Sequence, residues 1–427
     1  MRSRLFTFAL LSLVLLSLVG CARVRPPVPA LPKVPRVRVG LRVDSGTITV
    51  SATGEFEISI KGSARKPKLC RGGERWTFLP GTGTGGEKGI EIIDPDGLSR
   101  GTMDVTLVVS SSGSESFLTL GGERYRGSLE IFRSSSGLLT LVNVVDVESY
   151  LRGVVPNEIG GLTPEIIEAV KAQAIAARTY VFYFHGRYEE EGFDVLATVQ
   201  DQVYSGVAGE KPVSDRAIAE TYGTIVLYKG KPIRANYSST CGGVTAAIEE
   251  VWPEKPVPYL KRVSDKKPYQ KKAFCSHSSN FRWQEVWTGE EFESIFKTYF
   301  PRQYPNARAP SENEKLVNVK VGRRTKSGRV AVLEVITTDS VYRLSGDTIR
   351  FVIRRPNQQR SILRSILFDV DVQRKHGYAE TVVFFGGGYG HGVGMCQMGA
   401  IGMARQGMNA RQILTHYYRG VKLSRVY

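Results

Sequence analysis

The sequence predicts an α+β protein whose β-structure is concentrated towards the front of the chain. Two patterns carry that expectation. From about Arg38 to Leu141, apolar and polar residues alternate in segments such as GTITVSA and FEISIKG, the period of half-buried strands. From Thr163 onward the period changes. Ile167, Val170, Ala174, Ala177, Val181 and Phe184 recur at spacings of three and four, which is one apolar stripe on a helix. The 45 glycines and 20 prolines among 427 residues supply turns and argue against a helical bundle. A hydrophobic fraction of 41% with 10% aromatics excludes wholesale disorder. The length allows about two domains.

The elements follow in chain order. Arg2 and Arg4 precede an uncharged apolar run, Leu5 to Val19. It is short for a membrane span, which needs ~20 residues, and reads as a secretory leader. It ends in LVGC at residues 18–21, the form of a bacterial lipobox, with Cys21 as the lipid acceptor. The expected product is an extracytoplasmic lipoprotein of the cell envelope, anchored to a membrane by its lipid. Residues 22–37 hold five prolines and form a semi-rigid tether. Residues 38–141 form a β-rich region, with a flexible loop expected at Gly81 to Gly89. The striped helix then starts near Thr163, with Pro164 at its first position. Alanines 169, 172, 174, 176 and 177 let other elements approach it closely. Further helices are expected at 213–222, 290–299 and 409–418, with strands at TIVLY, LVNVKVGRR and GRVAVLEVITT. There is no internal repeat of 20–50 residues.

The net charge is +17. Outside the cytoplasm, a basic protein meets anionic lipid and anionic wall polymer first. The densest basic run is Lys261 to Lys272, and no nucleic-acid-binding motif is present, so no nucleic-acid partner is expected.

Three segments carry the candidate chemistry. They are YLRGVVPNE at 150–158 running on to ARTY at 177–180, NYSSTCGGVT at 236–245, and GGGYGHGVGMCQMGA at 386–400. With HYYRG at 416–420, SGR at 327–329 and LSG at 344–346, these closely resemble the SpoIID/LytB family of bacterial cell-wall proteins. The resemblance runs from about Val39 to Leu423. It implies that residues 142–427 are a SpoIID-like mixed α/β catalytic region, with an inserted mixed segment at about 256–380.

Glu158 is the expected catalytic residue. A carboxylate in a turn after Pro156 and Asn157, beside an apolar stripe, can have its pKa raised by desolvation and act as a general acid. The resemblance carries the family's catalytic acid onto Glu158. It implies a peptidoglycan lytic transglycosylase, in which one carboxylate protonates the MurNAc–GlcNAc oxygen and then serves as base for attack by the 6-hydroxyl. The alternative is a non-catalytic wall-binding protein that stimulates an amidase, which would make that amidase a partner. Hydrolysis would require a second carboxylate, for which Asp146, Glu148 and Asp201 are the possible mates. Arg178, Gln202, Tyr204, His391 and Gln397 are the expected substrate-binding residues, with an internal ion pair as the other reading of Arg178 and a buried structural role as that of His391.

Some family members hold zinc with a His and two Cys around the segment corresponding to Phe193–Tyr204. This stretch has neither residue, and Asp201 stands where one cysteine would be, so no cofactor is expected. For an exported protein the default for the remaining cysteines is a disulfide. Cys241 with Cys275 is the favoured pair, and a metal held by Cys241, Cys275 and His277 is the alternative. Cys396 beside His391 invites a thiol-hydrolase reading, which loses force because the family usually has Ser there.

Overall fold

The computed structural model describes residues 33–427 except Ser114, Gln270 and Gln358. The leader, Cys21 and most of the proline-rich tether lie outside the described residues. The chain is α+β, as its sequence predicts. No helix among the described residues is long and apolar enough to cross a membrane.

Two sheets form the front of the chain. In one, seven strands run in the order 195–196, 36–45, 139–146, 128–133, 107–111, 56–60 and 68–70. In the other, six strands run 123–125, 118–120, 48–52, 76–82, 88–93 and 99–103. The alternating residues that predicted strands are the buried ones: Val37, Val39, Val50, Phe56, Phe78 and Val109 are fully enclosed. The strand Leu139–Asp146 is buried on both faces, which explains its nearly continuous apolar sequence. The stretch 81–89 is the end of a hairpin instead of a loose loop. Gly81 pairs with Gly89, and a side chain at Gly89 would collide with the Met103 backbone at 2.5 Å.

The helices start where this strand ends. Helix α1 is Val147–Glu158, opened by Asp146, whose carboxylate accepts from Ser149 N at 2.9 Å. Glu158 is therefore the last residue of a helix, not part of a turn. Gly153 and Pro156 disguise that helix in the sequence. Its Val147, Tyr150, Leu151, Val154 and Val155 form a buried stripe. A side chain at Gly153 would meet the Tyr204 ring at 2.6 Å, so the glycine permits that contact. Helix α2, Ile167–Phe184, follows a 3-10 turn begun by Pro164. It is buried on every side from Ala172 to Val181, because α1, α3 (Pro212–Glu220) and later helices surround it. Its alanines make this close packing possible.

Helix α4, Gly289–Gln303, has a Thr288/Glu291 capping box. With the short α5, Ile349–Val352, it packs on strands 283–288, 316–324, 330–337, 341–345, 368–375 and 378–386. Trp287, Phe292, Phe296, Leu333 and Phe384 belong to an apolar cluster distinct from the one shared by the front sheets and α1 and α2. Helices α6, Gln397–Arg405, and α7, Ala410–Tyr417, return to that first cluster. Helix α6 begins inside a stretch rich in glycine. Gly402 is needed there because a side chain would strike the Phe274 carbonyl oxygen at 2.1 Å.

Candidate functional site

A cleft of about 1470 Å³ collects residues from all three motif segments. Glu158 enters from the end of α1. The loop after residue 234 brings Asn236, Tyr237 and Ser238, and the glycine-rich segment brings His391 and Gln397. The last two segments are held together by a short parallel pairing, Tyr237 with Met395 and Ser238 with Cys396. Further lining comes from the second apolar cluster's elements, including Tyr304, Arg323, Arg324, Lys326 and Phe351. Arg323, Arg324 and Lys326 are exposed; Arg324 pairs with Asp369, and Arg323 and Lys326 make this part of the cleft basic.

Glu158 is half-buried, and its Oε1 accepts from Val203 N at 3.1 Å. It forms no ion pair among the described residues. Burial pushes its carboxyl up to about 7, against the opposing pull of the Val203 N–H. At neutral pH it is thus divided between acid and base forms, the condition that suits a proton shuttle.

Of the other cleft carboxylates, Glu249 is exposed and without an ion pair among the described residues, and the remaining three are committed elsewhere. Asp201 accepts from Tyr180 Oη at 2.9 Å and from Leu196 N at 2.9 Å, and pairs with Arg187 at 2.7 Å. Asp347 pairs with Arg350 at 3.2 Å. Glu250 accepts from Ala247 N at 3.3 Å.

His391 Nδ1 accepts from Val393 N at 3.0 Å, so its proton sits on Nε2. Burial pushes its pKa down to about 4, and its ring lies 4.9 Å from that of Trp252. It is a neutral hydrogen-bonding group beside an aromatic surface. Gly392, next to it, has φ +80°, and a side chain there would strike Arg329 Nη2 at 2.1 Å. Gln397 Nε2 donates to Gln173 Oε1 at 3.3 Å.

The structure brings Glu158, His391 and Gln397 to one cleft and leaves three other expected site residues behind it. Arg178 is fully buried in a two-point pair with Glu148, at 2.8 and 2.7 Å, and also donates to the Thr224 carbonyl at 3.0 Å. Tyr204 is buried, donating to Asn143 Oδ1 at 2.9 Å. Gln202 is buried between two tyrosines: Tyr150 Oη donates to its Oε1 at 3.2 Å, and its Nε2 donates to Tyr237 Oη at 2.9 Å. Through Tyr237, which does line the cleft, Gln202 orders one wall. Tyr237, inside a motif segment, and Trp252, seven residues beyond it, also line the cleft, and aromatic residues near a candidate acid are a sugar-stacking signal.

The expectation of no cofactor, drawn from the lack of Cys and His at residues 193–204, is overturned by a cluster elsewhere. Cys241, Asp265, Cys275 and Cys396 are all buried, and one ligand atom from each lies within 4.8 Å of the others. These residues can hold a metal ion such as zinc, at a place the sequence comparison of that stretch could not reveal. His277, a ligand in the alternative set, instead has its Nδ1 3.0 Å from the Phe274 carbonyl oxygen. Cys241 and Cys275 are free thiols with sulphurs 3.7 Å apart. Burial pushes the Cys241 and Cys396 thiols well up.

Comparison with known proteins agrees with this arrangement. The family described as SpoIID, Stage II sporulation protein, matches residues 135–228, which include Glu158 and helix α2. A domain of unknown function (DUF8618) matches residues 269–394. An uncharacterized protein of Brachyspira hyodysenteriae is 31% identical over 71% of this chain and 73% of its own length. The Amidase enhancer of Bacillus subtilis is 29% identical over 64% of this chain and 40% of its own length. Stage II sporulation protein D of Bacillus amyloliquefaciens is 30% identical over 70% of this chain and 78% of its own length. With the motif segments converging on one cleft and this degree of identity over most of a relative's length, the chain belongs to the SpoIID family.

Proposed function

We propose that the protein is a lytic transglycosylase that cleaves the MurNAc–GlcNAc bond of peptidoglycan, acting from the outer side of a membrane to which Cys21 anchors it. The observation that carries the reading is the half-buried Glu158, without an ion pair among the described residues and with a pKa of about 7, in a cleft of about 1470 Å³. In its acid form Glu158 gives its proton to the glycosidic oxygen as the C1–O bond breaks. Charge then develops at the sugar C1. The carboxylate left behind takes the proton of the 6-hydroxyl while that oxygen bonds to C1. The products are a 1,6-anhydro end and a free 4-hydroxyl, no water is consumed, and Glu158 regains its proton. Tyr237 and Trp252 offer ring faces for sugars, and His391 offers a neutral polar group for their hydroxyls.

The full chain is to be incubated with intact and with peptide-stripped glycan, and the ends identified by mass spectrometry. Anhydro ends are expected, and Glu158→Gln should lose activity by ~10²–10⁴-fold while still binding glycan. Reducing ends would indicate hydrolysis instead. A second reading rests on the relative named Amidase enhancer: the cleft binds wall glycan without cutting it and stimulates an amidase. Retained binding with no cleavage of either glycan would favour that reading. The anchor has its own test. A fatty-acid probe should label cells making the wild type and not those making Cys21→Ser, and equal labelling would remove it.

A further inference from the structure

We propose that Cys241, Asp265, Cys275 and Cys396 form a structural site for one zinc ion. The site draws its ligands from three stretches far apart in sequence: the loop after the Tyr237–Ser238 strand, the 265–275 segment, and the residue that opens α6. All four ligand atoms lie within 4.8 Å of one another, room for a single ion and not for a polynuclear cluster. The Cys241 and Cys275 sulphurs are 3.7 Å apart. A tetrahedral ion with Zn–S bonds of ~2.3 Å places its sulphurs ~3.8 Å apart, so these two already sit on one edge of such a tetrahedron. Thiolates select zinc over magnesium or calcium, and four protein ligands leave no open position, the mark of a structural site.

The surroundings are built for thiolates and a fixed carboxylate. Cys396 caps α6, and its sulphur accepts from Gly399 N at 3.3 Å and from Cys241 N at 3.2 Å. Asp265 is held at both oxygens: Tyr417 Oη donates to Oδ1 at 2.5 Å, and Cys275 N donates to Oδ2 at 2.9 Å. Such outer partners orient metal ligands. Gly399 leaves the space they occupy, because a side chain there would lie 2.0 Å from Tyr417 Oη and 2.4 Å from Asp265 Oδ1. Three thiolates and a carboxylate around a divalent ion leave two excess negative charges. The fully buried Arg329 donates to the Cys241 carbonyl at 3.0 Å and supplies a neighbouring positive charge. On binding, the three thiols give up their protons to solvent and each sulphur bonds the ion.

The test uses the full chain purified without chelator under reducing conditions. Elemental analysis should find about one zinc per chain. Cys275→Ala should lower this at least tenfold, and Cys70→Ser, outside the cluster, should leave it unchanged. Should Cys275→Ala fail to fold, the wild type decides alone: cobalt exchanged for zinc should give thiolate charge-transfer bands and the intense visible absorption of a tetrahedral ion. Wild type that holds no zinc and gives no such spectrum with cobalt overturns the proposal. So does peptide mapping that finds Cys241 and Cys275 joined as a disulfide in metal-free, folded protein.

Discussion

Glu158 carries a stability cost that its own chemistry explains. Its folded pKa of about 7 lies above the ordinary glutamate range because burial disfavours the charged form. The sign follows from proton linkage. Below the unfolded pKa both states are protonated and the side chain costs nothing. As pH rises through the folded value, the buried charge must form and stability is lost. The loss at alkaline pH is about 3 kcal/mol at most, from a shift of this size. Glu158→Gln should therefore be more stable than wild type in urea unfolding at pH 8, and no more stable at pH 4. An equal difference at both pH values would mean the carboxyl is not the cause. Under the proposed mechanism kcat/KM needs the acid form and should fall as pH passes about 7.

At the scale of the element, α1 and α2 are clamped by the Arg178–Glu148 pair. Arg178→Leu would strand Glu148 beside Tyr427, whose hydroxyl bonds it. Breaking one side of a buried pair costs about 3–5 kcal/mol. Urea unfolding should show that loss, while the folded variant binds glycan as wild type does. A selective loss of glycan binding without destabilisation would return Arg178 to the substrate. Helices α2 and α7 were legible because their apolar residues keep helical spacing and Pro164 and Asn409 mark their starts. Helix α1 was hidden by Gly153 and Pro156, whose local preference for turns is outweighed by the Asp146 cap and a buried stripe. Glu158, His391 and Gln397 could be read from motifs, since each lies within one. Asp265 could not. It is a lone acid inside the basic run at 261–272, and only the tertiary meeting of residues 241, 265, 275 and 396 gives it a role.

At the scale of the whole molecule, the cleft draws one part of its lining from the elements that carry Glu158 and another from the elements of the second apolar cluster. The basic residues Arg323, Arg324 and Lys326 belong to the latter, and they are exposed. Their consequence is kinetic. Under the proposed function, an anionic glycan strand would be drawn toward the cleft before any sugar touches Glu158, so encounter would be faster than diffusion of neutral bodies gives. At physiological ionic strength the attraction reaches only ~8 Å, and added salt shortens it further. Raising salt from dilute buffer should slow capture of carboxylate-bearing glycan and lower kcat/KM, leaving kcat nearly constant. Substituting Arg323 and Lys326 by Gln should flatten that dependence, and an unchanged salt profile in the double variant would mean the charge that steers the strand lies elsewhere on the basic surface.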